Sequence, residues 1–326
     1  MEKQYKIVID TKGSDKGPLT VIKGAAMALE KYPCLSVLLV GDPEVIEAEA
    51  DRLGMPKDRY EILEGRQEIN NYDSPAVALF EKTESSLVKA LEALGQRDDL
   101  VGMINAGSTG ALIAGAMRYL SGKNRVRPAL CAVLPAENGG FTCLVDTGAT
   151  IDCDAKTLLH FARLGTDFMK RYYRIENPRI GLLSNGHEPT KGNKVVKESH
   201  QLLCEAEELN FIGNVEGNGA LSGSCDVLVA DGFAGNQVLK VTEGIAKRII
   251  TDIVKFAKKT GSEDAMNLVG YLMGTYDLNS LGGGIILGIE KPVVKAHGAS
   301  NETSIVSIAG MVLNMVENKD LYDQGT

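Results

Sequence analysis

The sequence predicts a three-layer α/β fold, in which a doubly wound and mostly parallel sheet lies between two layers of helices. Short apolar runs recur throughout the 326 residues, and polar turns that contain Gly directly follow many of them. Stretches with helical periodicity alternate with these runs, as in repeated βα units with right-handed crossovers. In open α/β sheets ligands bind beyond the carboxyl ends of the strands, so we expect the turns to converge on one crevice.

In the first half of the chain, four apolar runs have the character of buried strands. They cover residues 7–9, 37–40, 101–104 and 144–145. A polar loop follows the first run and leads into a helical pattern. The turn after the third run opens a helix of small residues, and backbone N–H groups at a helix start bind anions. We expect four residues of this turn to bind substrate: Gly107, Ser108, Thr109 and Gly110.

In the second half, four further runs are expected to be strands. They cover residues 180–183, 211–212, 227–230 and 293–294. The last three runs are each followed by a turn that offers donors or a cation suited to an anion. These turns supply the other candidate substrate-binding residues: Asn214, Glu216, Asp231, Gly232, Gly235, Lys295 and Ser300. For Asp231, capping of the turn is a competing role, because a carboxylate repels an anion.

The composition fits an enzyme of this architecture. The formal net charge of −8 argues against a nucleic-acid-binding surface. The six cysteines form no Cys-x-x-Cys pair, and most lie in or beside apolar runs, so we expect buried free thiols. No repeat or Pro/Ser-rich linker interrupts the chain. We therefore expect one large α/β unit over residues 1–326, with a division into two lobes, if present, near residues 140–155.

Several common site motifs are absent from the sequence. It contains no P-loop, no Gly-x-Gly-x-x-Gly after the first strand and no Gly-x-Ser-x-Gly elbow. The four histidines show no metal-binding spacing. The amino terminus enters a strand without a secretory apolar region, and no apolar stretch approaches the roughly 20 residues of a membrane span. We therefore expect a cytosolic protein.

Residues 238–259 have the pattern of an amphipathic helix. One interpretation is that its apolar face packs on the core or on a second subunit. The other is that its cations form a docking patch for an acidic protein. These cations are Lys247, Arg248, Lys255, Lys258 and Lys259. An almost uncharged, Gly-rich segment follows, and we expect residues 238–289 to form a helical projection that serves as a lid, a dimer contact or a membrane-touching tip.

Nine loops, in order along the chain, resemble those of the bacterial phosphate acyltransferases of phospholipid synthesis, the PlsX family. They are residues 10–18, 40–42, 106–111, 146–149, 176–179, 191–193, 211–217, 231–236 and 295–300. The resemblance implies an αβα fold like that of isocitrate and isopropylmalate dehydrogenases, a homodimer, and no metal or organic cofactor. It also implies transfer of a fatty acyl group from acyl carrier protein to inorganic phosphate. In some members it implies a peripheral contact with the membrane.

The chain departs from the family's pattern at several loops. Residues 10–15 read Asp-Thr-Lys-Gly-Ser-Asp where the family has Asp-Ala-Met-Gly-Gly-Asp. Ser108 replaces an Asn, residues 184–188 read Ser-Asn-Gly-His-Glu instead of Asn-Ile-Gly-Glu-Glu, and Asn218 replaces an Arg. Two alternatives therefore stay open. One is a paralogue that makes a short-chain acyl phosphate such as acetyl phosphate, with CoA or another carrier as donor, and the other is a non-catalytic protein that binds acyl thioesters.

The implied reaction explains the residue types in these loops. Phosphate attacks a thioester carbonyl, an oxyanion develops and a thiolate leaves, so the site needs N–H donors and a cation. We expect His297 to give a proton to the departing sulfur or to bind phosphate, and Lys191 to stabilise developing charge. Asn236 is expected to orient the carbonyl. Each residue has a competing interpretation. His297 would be a loop histidine whose hydrogen bonds are satisfied within the protein, Lys191 would be exposed to solvent, and Asn236 would cap a helix.

Overall fold

The computed structural model describes residues 3–121, 126–276 and 283–325. The chain divides into two compact units: unit 1 contains Met1–Pro128 and Gly282–Thr326, and unit 2 contains Ala129–Leu281. The chain passes from unit 1 to unit 2 after Pro128, whereas the sequence predicted a division near residues 140–155. The reason is that part of this range pairs with residues 131–135 in an antiparallel ladder that is internal to unit 2.

Unit 1 begins with alternating strands and helices. They are β1 (Tyr5–Asp10), α1 (Pro18–Lys31), β2 (Leu35–Gly41), α2 (Pro43–Leu53), β3 (Tyr60–Glu64), α3 (Pro75–Glu81), α4 (Ser86–Gln96), β4 (Leu100–Asn105) and α5 (Thr109–Tyr119). The strands lie in the order β3-β2-β1-β4, and each neighbouring pair is parallel. The strands predicted from the apolar runs of this segment are therefore confirmed.

Unit 2 continues the alternation. It contains β5 (Ala129–Pro135), β6 (Phe141–Val145), α6 (Ala155–Tyr173), β7 (Arg179–Leu183), α7 (Lys194–Glu205), β8 (Asn210–Val215), a 3₁₀ helix (Gly217–Leu221), β9 (Val227–Val229), α8 (Gly232–Thr260) and α9 (Glu263–Tyr276). The strand order is β5-β6-β9-β7-β8, and only β5 and β6 are antiparallel. The turn expected at residue 213 starts only at Glu216, because β8 continues to pair with β7 through Val215.

The chain then returns to unit 1. This last segment contains β10 (Gly284–Leu287), β11 (Val293–Lys295) and α10 (Glu302–Gly325). β11 is parallel to β4 and antiparallel to β10. The expected strand at residues 293–294 is thus confirmed, and the loop that follows it lies beside the loop that follows β4.

Consecutive residues of the central strands are buried in both units. Ile7 and Val8 in β1 have no exposed surface, and neither have Leu144 and Val145 in β6. Successive side chains of a strand point to opposite faces of the sheet, so helices must cover both faces. The predicted mostly parallel, three-layer α/β architecture is therefore confirmed.

The amphipathic helix expected over residues 238–259 is present, but it begins earlier. The carboxylate of Asp231 accepts the N–H of Ala234 at 2.7 Å and caps the first turn, so α8 starts at Gly232. Of its 29 residues, only three are buried: Gly232, Gly235 and Ala257. Val238 and Leu239 pack on a buried cluster that includes Leu144, so the expected packing on the core is observed for this first part of the apolar face.

Further large apolar residues of α8 are exposed. They are Phe233, Val241, Ile245, Ile249 and Phe256. α9 packs against α8, whereas residues 277–282 of the expected projection lie outside the described residues. The projection therefore stays a prediction. Among the helices of the described ranges, none has both the length and the apolar character of a membrane span.

Candidate active site

In unit 1, three loops that were predicted to carry the site lie against one another. They follow β1, β4 and β11. The N–H of Asp15 donates to the carbonyl of Gly298 at 2.9 Å, which joins the first loop to the third. Gly13 and Gly107 join the first loop to the second. A Cβ on Gly13 would lie 2.5 Å from the Cα of Gly107, and the positive φ of Gly13 also favours glycine.

A buried carboxylate, Asp10, organises these loops. It accepts the N–H of Lys12 at 3.0 Å and the side-chain amide of Asn105 at 2.8 Å. The oxygen of that amide accepts the N–H of Gly107 at 3.0 Å, and the backbone carbonyl of Asn105 accepts the N–H of Ala296 at 2.8 Å. Burial raises the pKa of Asp10 to about 6, although its hydrogen bonds favour the charged form. All three loops are thus tied to one buried group.

The loop after β11 contains a buried cation and a buried hydroxyl. Lys295 is 9% exposed, and its ammonium donates to the carbonyl of Ala296. Ser300 is 4% exposed, and its hydroxyl has no hydrogen-bond partner within the described part of the chain. Buried polar groups are costly to leave unsatisfied. An anion bound at this loop would satisfy the hydroxyl of Ser300 and lie beside a buried positive charge.

The second donor set of unit 1 is the start of α5. Ser108 is the N-cap residue, but its side chain makes no capping hydrogen bond. The N–H groups of the first helical turn, which includes Thr109 and Gly110, are therefore available to an anion. This arrangement supports the predicted anion-binding role of residues 107–110.

His297 is exposed and its ring orientation is fixed by the backbone. Its Nδ1 accepts the N–H of Ala299 at 3.1 Å. Because Nδ1 acts as an acceptor, the neutral ring carries its proton on Nε2. His297 can therefore offer an N–H donor from Nε2.

Lys12, which departs from the family pattern, forms an ion pair with the carboxylate of Asp42. The ammonium of Lys12 donates to Asp42 Oδ2 at 2.9 Å and to the carbonyl of Arg66 at 2.6 Å. Its side chain is only 15% exposed. The extra charge at this position is thus neutralised within unit 1.

In unit 2, a cavity of about 620 Å³ lies at the carboxyl ends of β7 and β9. The starts of α7 and α8 border it through Asn193 and Asp231. The hydroxyl of Ser184, also in its wall, is buried and has no partner among the residues that the structure describes. This volume is typical of small-molecule sites, and two helix starts with a hydroxyl offer donors to an anionic group.

The start of α8 packs tightly on the loop after β6. The N–H of Gly232 donates to the carbonyl of Thr150 at 2.8 Å, and a Cβ on Gly235 would collide with the carbonyl oxygen of Asp146. The buried carboxylate of Asp146 accepts N–H groups from its own loop, including that of Thr150 at 2.6 Å. Burial raises the pKa of Asp146. Asp146 and Asp231 thus shape the turns, and the half-buried Asn236 follows in the second turn of the helix.

His187 contacts two of the predicted site residues and is a further candidate that the sequence did not single out. Its Nε2 lies 3.3 Å from Glu216 Oε2, and its Nδ1 lies 3.3 Å from the carbonyl oxygen of Asn214. The amide nitrogen of Asn214 donates to the carbonyl of Glu188 at 2.9 Å, whereas its buried Oδ1 has no partner in the described ranges. The sequence signal that could have identified His187 is its position in a polar turn directly after an apolar strand.

Lys191 lies in the loop between β7 and α7. Its N–H donates to the carbonyl of Glu188 at 2.9 Å, and the N–H of Gly192 donates to Asn185 Oδ1 at 2.8 Å. The side chain is exposed and runs along Gly186, where a Cβ would lie 2.8 Å from the Lys191 Cγ. No carboxylate of the described residues pairs with its ammonium, which leaves that charge available to a ligand.

The predicted site residues are distributed over both units. Unit 1 holds residues 107–110, Lys295, His297 and Ser300, and unit 2 holds the others. The expectation of one shared crevice stays a prediction. In the ranges that the structure describes, no group of three or more His, Cys, Asp or Glu side chains could hold a metal ion.

The five candidate docking cations are all exposed on α8. Arg248 pairs with Asp252 at 2.7 Å, so part of its charge is neutralised. Lys255, Lys258 and Lys259 lie in the last two turns of the helix, close to its carboxyl end. These three lysines form the concentrated part of the basic surface.

Comparison with known proteins gives consistent results. The chain matches the model of the fatty acid synthesis protein family over residues 5–319. A phosphate acyltransferase of Halothermothrix orenii is 39% identical over 308 residues, which are 92% of this chain and 91% of that protein. A phosphate acyltransferase of Lactococcus lactis subsp. cremoris is 39% identical over 323 residues, which are 96% of this chain and 95% of that protein.

Solved structures share the fold at low sequence identity. A phosphotransacetylase from Streptococcus pyogenes has a TM-score of 0.66 at 18% identity and covers 98% of this chain and 95% of its own. A 4-hydroxythreonine-4-phosphate dehydrogenase from Klebsiella pneumoniae has a TM-score of 0.54 at 14% identity, over 95% of this chain and 99% of its own. The near-complete match to the family model and to these curated relatives shows that the chain belongs to the fatty acid synthesis protein family, that of the phosphate acyltransferases.

Proposed function

We propose that this protein transfers an acyl group from an acyl thioester to inorganic phosphate and so forms an acyl phosphate. The observation that carries this proposal is the loop after β11, where the buried ammonium of Lys295 and the unpartnered hydroxyl of Ser300 suit an anion. The N–H groups at the start of α5 provide further donors. Family membership supports the same activity, since the relatives are named phosphate acyltransferases.

The reaction exchanges one bond at the acyl carbon. A phosphate oxygen forms a bond to the thioester carbonyl carbon, and the C–S bond breaks when the tetrahedral intermediate collapses. The leaving thiolate takes up a proton after departure. A preorganised donor at the developing oxyanion is typically worth about 3 to 4 kcal/mol in the barrier. Lys191 and Asn236 are the candidates for this contribution, as a cation and as an amide donor respectively.

The ring geometry of His297 supports one of its two expected roles, the binding of phosphate. A cationic ring would carry a proton on Nδ1, which faces the N–H of Ala299 and acts as an acceptor. We therefore assign His297 to a hydrogen bond from Nε2 to a phosphate oxygen. This role needs no net proton transfer by the histidine.

Acyl carrier protein is the proposed donor carrier. Carrier docking would use the basic surface of α8, with Lys247, Lys255, Lys258 and Lys259 exposed to solvent. Complementary charges of this kind accelerate association with an acidic partner despite the net charge of −8 on the whole chain. The place of the reaction would be phospholipid synthesis.

A paralogue that uses a short-chain donor is the second candidate. Two departures from the family pattern, at positions 187 and 218, favour the short-chain donor because they lie near candidate substrate-binding residues. His187 contacts Glu216 and Asn214, and Asn218 lies in the wall of an apolar groove that begins beside them. Changes at these positions would alter the donor more directly than the change at Lys12, which Asp42 neutralises.

The helices α8 and α9 also support the expected homodimer and a peripheral membrane contact. Apolar side chains with half or more of their surface exposed lie on both helices, among them Phe256 and Tyr271. Exposed apolar patches mark contacts with another protein or with a membrane. A symmetric dimer would cover them, and sedimentation with and without anionic vesicles measures the two contacts separately.

One assay tests the activity. Chelator-treated protein is incubated with phosphate and either acyl carrier protein or CoA thioesters, and acyl phosphate is trapped as the hydroxamate. We expect product that depends on phosphate and is unchanged by added divalent ions. Product from short CoA donors alone would favour the second candidate. No product from any donor would leave the non-catalytic thioester-binding hypothesis.

A further inference from the structure

An apolar groove runs along α8 in unit 2. Its volume is about 520 Å³. One wall is a stripe of α8 and the other is the end of α9. The principal lining residues are Val241, Ile245, Ile249, Ile250, Leu272 and Tyr276. Residues spaced four apart lie above one another on a helix, so the groove follows the helix axis.

One end of this groove adjoins the candidate substrate loops. Gly217, Asn218 and Leu221 of the 3₁₀ helix line this end, and the 3₁₀ helix directly follows Glu216. Leu221 packs on a cluster of fully buried residues that includes Leu144 and Leu228. The end of the groove near the candidate site is therefore anchored to the core, whereas its length along α8 is open to solvent.

Building on the proposed acyl transfer, we propose that this groove binds the acyl chain of the donor thioester and measures its length. The thioester lies at the Gly217 end and the chain extends along α8 towards Ile249. The groove is concave and has the volume of a small-molecule site, whereas a second protein copy needs a patch of about 800 Å² per partner. Apolar side chains outside the groove, such as Phe256 and Tyr271, remain for such a contact.

The dimensions of the groove set an expected chain length. The α8 wall runs from Val241 to Ile250, which corresponds to roughly 13 Å at about 1.5 Å per residue. An extended backbone advances about 3.6 Å over three bonds, or about 1.2 Å per bond. The wall therefore covers about eleven bonds of an extended acyl chain.

A graded series of acyl carrier protein thioesters, from butyryl to palmitoyl, tests this proposal. Each methylene that enters the groove should raise kcat/KM about fourfold, equivalent to about 0.8 kcal/mol. The increase should level off at about ten to twelve carbons, where the wall ends. A steady increase through palmitoyl, or no dependence on length, would overturn the proposal.

Substitutions that block the groove make the test specific. Ile245 is already 56% exposed, so Ile245→Trp should fold normally and fill the groove after about five bonds. Butyryl transfer should persist, while lauroyl transfer should fall by at least about a hundredfold. Ile249→Trp lies one turn further along and should impair only the longer chains. Phe256→Trp, on the same helix outside the groove, is the matched control.

The possible outcomes separate this inference from the proposed function. If Ile245→Trp lowers transfer of every chain equally, or of none, the groove does not bind the acyl chain. If it changes the sedimentation of the protein but not its chain-length profile, a second copy occupies the groove instead. If the wild-type protein forms no acyl phosphate from any donor, the proposed function itself fails.

Discussion

Asp10 shows how one buried carboxylate can organise the loops of a candidate site. Its carboxylate is 2% exposed and links the loops after β1 and β4 through the amide of Asn105. Burial disfavours the charged form, which is why the pKa rises to about 6. The charge is retained near neutral pH because hydrogen-bond donors surround it.

This raised pKa predicts a pH-dependent stability. The folded protein binds the Asp10 proton more tightly than the unfolded chain, so this residue makes unfolding less costly as pH rises from about 4 to about 6. Relative to wild type, Asp10→Asn should therefore gain roughly 3 kcal/mol over that range and change little above it. Urea unfolding at a series of pH values measures the difference. Asp58→Asn, at an exposed position, is the control, and an equal trend there would contradict the assignment.

His297 and Lys191 are the residues on which turnover should depend most strongly. His297→Ala or Lys191→Ala should lower kcat about a hundredfold, as expected for loss of a preorganised donor. Both side chains are exposed, so the melting temperature should stay unchanged. The matched controls are His200→Ala and Lys197→Ala, both on α7. Wild-type turnover in either site variant would return that residue to an ordinary loop position.

At the scale of elements, α8 combines a closely packed start with a long exposed surface. In its first turn, Gly232 and Gly235 are buried and pack against the Asp146 loop with no space for a side chain. The rest of the helix extends along the surface with apolar and basic residues exposed. The rigid start suits a residue such as Asn236 that must be positioned, and the exposed length suits contacts with larger partners.

The basic end of α8 should control the affinity for the donor carrier. Reversal of both charges, Lys255→Glu with Lys258→Glu, should raise the KM for acyl carrier protein thioesters roughly tenfold at low salt. The effect should shrink at high salt because exposed charges are screened. The KM for acyl-CoA should change less, and Lys31→Glu on α1 is the control. A carrier KM that is insensitive to the double reversal at every salt concentration would exclude docking at this surface.

At the scale of the whole molecule, each unit contributes its own part of the candidate machinery. Unit 1 supplies the buried Lys295 and the start of α5, which suit phosphate. Unit 2 supplies the cavity at the starts of α7 and α8 and the apolar groove, which suit a thioester and its chain. We therefore propose that unit 1 binds the acceptor and unit 2 binds the donor.

The exposed apolar residues of α8 and α9 predict the assembly state. We expect the wild-type protein to sediment as a dimer. Phe256→Glu with Tyr271→Glu should shift it to a monomer, because both side chains are more than half exposed and a charge in their place would be desolvated on association. Tyr72→Glu, at a fully exposed position in unit 1, is the control. A wild-type monomer at micromolar concentration would contradict the prediction.

The fold could be predicted in some detail because its signals are local. Apolar runs such as 7–9 and 101–104 identify buried strands, and helical periodicity identifies α8. Local sequence signals are insufficient where the pairing of strands determines which residues belong to the sheet. Gly213 has the composition of a turn but lies in β8, because its neighbours on β7 continue the ladder. The compact units divide after Pro128 and not near residues 140–155, since β6 pairs with β5 inside unit 2.

The loops of the candidate site and their residue types were determined by the sequence alone, since each motif is a short contiguous segment. The pairing between those loops was decided only by the tertiary structure. Lys12 is neutralised by Asp42, and His187 meets Glu216, across 30 and 29 positions of the chain respectively. The sheet brings these residues together by placing the carboxyl ends of neighbouring strands side by side. The separation of two residues along the chain does not reveal whether the sheet brings them together. The contact of His187 with Glu216 and the ion pair of Lys12 with Asp42 could therefore not be predicted from the sequence.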